Sequence, residues 1–175
     1  MQYRTFSRVT SHAIGFAVCI WTSSALAEPA AQFVDAAASL NQFLIQSGTL
    51  AQSRATKPAT RTYANETVEI IAAAEKELKA AAEAEKAAVS PSLPAEQAQG
   101  LKALQEAPAA DFDAAYMSAQ MTTHAEIKKL YLTFIQDGIA GKVRAYAEKT
   151  YPELHMLEVR ALSLASPATL TDGEQ

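Results

Sequence analysis

Cysteine is almost missing from this chain of 175 residues: Cys19 stands alone. A single thiol excludes a disulfide framework within the chain and a thiolate cluster for metal. Six glycines form no phosphate-cradling loop, and neither a nucleophile elbow nor an H-E-x-x-H metalloprotease motif occurs. No stretch sustains the period-two alternation of strands. Basic residues are outnumbered, 15 against 19 acidic. An acidic chain with scattered Lys and Arg is a poor match for nucleic acid or an anionic membrane face.

What is present begins with a targeting pattern. Arg4 and Arg8 precede an apolar run from Ala13 to Trp21, then Thr22-Ser23-Ser24 and the small-residue site Ala25-Leu26-Ala27. This layout predicts a cleaved secretory signal over residues 1–27, cut after Ala27. The apolar run is about half the roughly 20 residues of a spanning helix, and Cys19 lacks the small neighbour of a lipoprotein site. Cleavage removes Cys19, Trp21, His12 and both arginines, leaving 13 basic against 19 acidic residues, a balance of −6. The expected location is the periplasm of a Gram-negative bacterium, or outside the cell, with no transmembrane segment in the mature chain. Without cysteine, stability rests on packing.

Residues 28–166 read as one domain of long amphipathic helices, with apolar positions recurring at three and four. A helix from about Ala30 to Thr56 carries the stripe Phe33, Ala37, Leu40, Leu44, Ser47 and Ala51, and stops before Lys57-Pro58. A second, from Pro58 to about Ala88, buries Tyr63, Thr67, Ile70, Ile71, Ala74, Leu78 and Ala81. Its outer face holds Glu75, Lys76, Glu77, Lys79, Glu83, Glu85 and Lys86 as solvated charge. The turn Ser90-Pro91-Ser92-Leu93-Pro94 leads to a short helix over Ala95–Glu106 with Leu101 and Leu104, read either as cover for the bundle or as a dimer contact. A third long helix, about Asp111 to Gln136, aligns Phe112, Tyr116, Gln120, Thr123, Ile127, Leu130 and Phe134. The last, about Gly141 to Ala165, aligns Val143, Ala147, Thr150, Leu154, Leu157, Ala161 and Leu164. Pro152 should kink it near Glu148. Residues 167–175 are expected to form a disordered tail. The fold expected is all-α: an up-down four-helix bundle with a short extra helix between its second and third members.

Few residues offer chemistry. His124 falls at the edge of the third helix's seam. His155 and Glu158 are three apart and share a helix surface. These three are the candidate metal ligands, though neither histidine follows a glutamate at the Glu-x-x-His step that bundle di-iron sites use. Otherwise they read as one packed and one exposed histidine. Glu66 and Glu69 read as solvated surface. Tyr63, Tyr116, Tyr131, Tyr146 and Tyr151 read as core edges with hydroxyls reaching water or a carbonyl. The glycosylation sequon Asn65-Glu66-Thr67 lies within a helix and is discounted. No catalytic residue and no cofactor is expected.

The block Asp111-Phe112-Asp113-Ala114-Ala115-Tyr116, with His124 eight residues beyond, resembles the bacterial secreted family called domain of unknown function 4142. Asn41-Gln42-Phe43-Leu44-Ile45, Thr60 to Leu78 and Tyr151-Pro152-Glu153-Leu154 extend the resemblance over about Phe33 to Leu164. The resemblance implies a ferritin-like four-helix bundle in the cell envelope, often labelled a predicted outer membrane protein. It also implies interior polar residues: an acid in the first helix, an Asp-His pair in the second, a His in the third and another in the fourth. Aligned by eye, those positions fall on Leu44, Ile70-Ile71, His124 and Leu157. Only His124 is kept, so the resemblance implies a metal site lost by apolar replacement.

The function expected is non-enzymatic: a bundle acting by its surface on an envelope protein or component. A ferritin-like metal or redox protein using His124, His155 and Glu158 is the alternative, and a carrier of small molecules or lipid is a third.

Overall fold

The computed structural model describes residues 27–87 and 92–166. The expected signal up to residue 26, with His12, Cys19 and Trp21, lies outside the described residues. So do Ser90-Pro91 of the expected turn and the tail 167–175.

The described chain is all-helical: α1 (Ala27–Arg54), α2 (Pro58–Ala84), α3 (Ala95–Glu106), α4 (Phe112–Asp137) and α5 (Lys142–Ala165). Boundaries follow local chemistry. Lys57 is extended, as the residue before a proline must be, and Pro58 opens α2 where its missing N–H is not needed. α2 ends with Lys86 in the left-handed region (φ 56). There Ala87 N–H donates to the Ala82 carbonyl and Lys86 N–H to that of Glu83, the Schellman arrangement without its usual glycine. α1 starts at Ala27, the expected cleavage residue, and ends at Arg54, two residues earlier than the periodicity suggests. Pro152 lies on the exposed side of α5, which continues through it.

The four long helices pack as a ring, α1 beside α2 and α4, and α5 beside the same two. Their predicted stripes form the core: Phe33, Leu44, Ile71, Leu78, Phe112, Ile127, Val143, Leu154 and Leu157 are buried. Each such side chain stabilises by about 1.5–3 kcal/mol over exposure.

Helix direction departs from the simple up-down order. Asn41 meets Glu75, and Gly48 faces Val68, so α2 runs antiparallel to α1. Phe33 stacks on Phe134 while Thr56 meets Asp113, so α4 also runs antiparallel to α1. Glu66 pairs with Arg160 and Glu77 with Lys149, so α5 opposes α2. The order is up, down, down, up. α2 and α4 are parallel because the connection between them crosses the length of the bundle, carrying α3 along α1: Ser39 Oγ donates to the Ser92 carbonyl, and Gly100 lies against Phe43. Arg54 then donates to the carbonyls of Leu104, Gln105 and Ala107, satisfying the end of α3. Leu104 is buried, and Leu101 packs on the core. These two leucines are therefore cover for the bundle, not a free dimer face.

Other expectations are corrected in detail. Glu75, placed on a solvated face, is half-buried and accepts a hydrogen bond from Asn41 Nδ2 at 2.9 Å. Tyr63, Tyr116, Tyr131 and Tyr146 are fully interior, and only Tyr151 is at an edge. The four interior rings lie on the inward stripes of α2, α4 and α5 and fill the centre of the bundle.

Candidate functional site

Polar residues on the inward stripes of three helices meet inside the bundle. α1 contributes Ser47, α2 Tyr63 and Thr67, and α4 Tyr116, Gln120 and His124; all are buried. His124 is 1% exposed, so it is an interior residue and not the seam edge its position suggested. Its Nε2 lies 2.9 Å from the Tyr63 hydroxyl. Burial drives the Tyr63 pKa upward against the opposing pull of Thr67 and Arg160. The same burial holds His124 at about 4, overcoming the opposite influence of Glu158. The contact therefore joins a neutral phenol to a neutral imidazole. Gln120 Nε2 donates to Ser47 Oγ at 3.0 Å, and Ser47 Oγ donates to the Leu44 carbonyl. Thr67 Oγ1, Tyr116 Oη, Gln120 Oε1 and His124 Nδ1 are buried without a partner. The cluster is tight: a Cβ at Gly48 would lie 2.7 Å from Val68 Cγ2 and 3.7 Å from Tyr116 Oη.

The other two candidate ligands are elsewhere. His155 is exposed on α5, with Nδ1 2.8 Å from Glu158 Oε2. Glu158 also takes Lys128 Nζ at 3.4 Å. Burial raises the Glu158 carboxyl, but His155 and Lys128 prevail and lower it. His155 stacks on Tyr151, with ring centres 6.0 Å apart. His124 is thus inside, the His155–Glu158 pair outside, and no three His, Cys, Asp or Glu side chains converge among the described residues. The donor set does not fit a bundle di-metal site. Such sites use carboxylates from all four helices with two histidines, whereas His124 is surrounded by hydroxyls and an amide, and its Nε2 is engaged by a phenol. Leu44, Ile71 and Leu157, on the positions where the resemblance puts polar residues, are buried apolar core.

Asp113 went unremarked in the motif that carries the resemblance. It is 4% exposed. Its carboxylate accepts from Thr56 N–H (2.9 Å), Thr56 Oγ1 (2.6 Å) and Lys57 N–H (3.0 Å). Burial alone raises a carboxyl, but these donors and Thr60 prevail and hold it at about 2. Asp113 thereby locks the start of α4 to the turn between α1 and α2. Its inward position was readable from the Phe112–Tyr116 spacing; the donors come from a turn 56 residues away.

The open feature of the surface is a slot between α1 and α4, of about 560 Å³. Stacked Phe33 and Phe134 form its floor with Ala36 and Leu130; Glu126, Lys129 and Asp137 form its rim. A depression of about 520 Å³ continues it toward the start of α3, sharing Gln32, Ala36 and Glu126. No helix among the described residues is long and apolar enough to cross a membrane.

The family model described as Domain of unknown function (DUF4142) matches residues 21–164. The match carries no location, and the outer-membrane label attached to the resemblance is not borne out. No curated protein and no solved structure matches the chain.

Proposed function

The chain belongs to the family Domain of unknown function (DUF4142), and from that premise we propose a non-enzymatic envelope protein that acts by binding a partner on its bundle surface. The slot between α1 and α4 carries this reading: it is an apolar concavity of about 560 Å³ floored by two stacked aromatic rings, while the interior polar cluster is sealed. The secretory layout of residues 1–27 supports a periplasmic or secreted location. An up-down-down-up order with one long crossover is also the order of ferritin-like bundles, so we assign the scaffold to that class without its metal chemistry.

The test places a photo-crosslinking amino acid at Gln32 or Thr133, beside the slot, and at Glu83 on an exposed face of α2 in the native cell. The expected result is an exported protein with a crosslinked product specific to the slot positions. Retention in the cytosol, or identical products from all three positions, overturns the reading.

A further inference from the structure

We propose that the slot between α1 and α4 receives an amphipathic helix of another polypeptide, apolar on one face and bearing lysine or arginine along its edges. The proposal rests on the surface-binding reading and names the partner's chemistry.

The shape argument comes from α3. This helix lies against α1 and α4 on the same side of the bundle. It turns Gln97, Gly100, Leu101 and Leu104 inward, the i, i+3, i+4, i+7 face by which a helix fills a groove. It covers α1 from the level of Ser39 to that of Arg54. Below it, among the described residues, the groove continues uncovered from Ala36 to Pro29 on α1 and from Glu126 to Asp137 on α4. At 1.5 Å per residue that α4 segment is about 16 Å long, room for about three helical turns in line with α3.

The charge argument comes from the rim. Glu126 and Asp137 flank the slot and Asp35 lines the adjoining depression, with Lys129 the one basic residue among these lining residues. Burial and the nearby Glu96 push the Glu126 carboxyl upward. Gln97, which lines the adjoining depression, has a buried Oε1 without a donor. Acceptors and carboxylates around an apolar floor complement an occupant with cationic donors at its edges.

The test uses the purified protein and a fluorescent peptide of about 14 residues, leucine at i, i+3, i+4 and i+7 and lysine elsewhere. A twin carries glutamate in place of lysine, and binding is read by anisotropy. The lysine peptide should bind at least about tenfold more tightly than its twin. Ala36→Phe, which fills the floor, should weaken it by about tenfold or more, and Glu126→Gln with Asp137→Asn should shrink the preference to about threefold or less. Circular dichroism confirms that each variant is folded, and Thr133→Trp on the rim replaces Ala36→Phe if the latter is not. Equal binding of both peptides, or binding indifferent to a filled slot, overturns the proposal. So does dodecylamine binding with no peptide binding, which makes the slot a hydrocarbon site. Concentration-dependent dimers abolished by Ala36→Phe also overturn it, because the occupant is then a second copy. A slot that fails these tests beside an exported protein crosslinked elsewhere leaves the surface-binding reading intact. Peptide binding by a protein retained in the cytosol removes only the envelope location.

Discussion

The Tyr63 hydroxyl lies 2.9 Å from His124 Nε2 across the interface of α2 and α4, with both residues out of contact with water. These two helices are diagonal in the ring, so the pair spans the centre of the bundle. Their hydrogen bond ties opposite helices directly and engages one of the two imidazole nitrogens.

Breaking that pair on one side should cost more than removing it altogether. Tyr63→Phe leaves Nε2 buried without its partner and should destabilise by about 1–3 kcal/mol. The double variant Tyr63→Phe/His124→Leu removes both polar partners and should lie closer to the parent than the sum of the singles. Urea denaturation of the four proteins measures the coupling; strict additivity contradicts the pairing.

Acid should unfold the protein in two separable windows. His124, ordinarily at 6.5, is held at about 4 in the fold. The unfolded chain therefore binds the extra proton first, and stability falls as pH drops from about 6.5 to 4, by about 3 kcal/mol in total. Asp113, ordinarily at 3.8, is held at about 2. Its contribution is complete above about pH 4 and is lost toward pH 2, amounting to about 2 kcal/mol. In His124→Leu the fall across the upper window should be smaller than in the parent by about 3 kcal/mol, with the lower window unchanged.

Asp113→Asn keeps the shape but replaces a carboxylate that receives three hydrogen bonds from Thr56 and Lys57. An amide presents one acceptor oxygen and a donor NH₂ facing those N–H groups. The expected loss is about 2–3 kcal/mol, read as a lower denaturation midpoint. Amide exchange at Thr56 and Lys57 should quicken more than exchange at the far end of α4.

Lys86→Gly should stabilise by about 0.5–1 kcal/mol, because Lys86 holds a left-handed backbone that a Cβ disfavours. Thermal melts of the two proteins decide the sign.

Leu157→Asp sets a charge on the inner stripe of α5, where Leu157 is 3% exposed. Burying an unpaired carboxylate should prevent folding. A soluble variant with undiminished helical circular dichroism contradicts this placement.

Much of the fold was legible because its signals are local. Period-3.6 stripes marked the inner faces of all four long helices, and Lys57-Pro58 marked the boundary between the first two. α3 begins and ends at the residues its flanking prolines indicate. Less of the site was legible. Ser47, Tyr63, Thr67, Tyr116 and Gln120 stood openly on the inward stripes with His124 at the edge of one, and six polar side chains on three apolar seams were the available signal. Helical spacing assigns a residue to a face, yet it does not say which residue of a distant helix stands opposite.

The sequence alone determined the helical class, the approximate helix limits and the buried stripes, since each depends on residue type and on spacing within a few turns. Tertiary structure alone decided that α4 runs parallel to α2, that Tyr63 meets His124, that Asp113 caps a turn 56 residues away, and that α3 lies along α1 above the slot. Those depend on the crossover's path, which is set by how whole faces pack together and not by any local propensity.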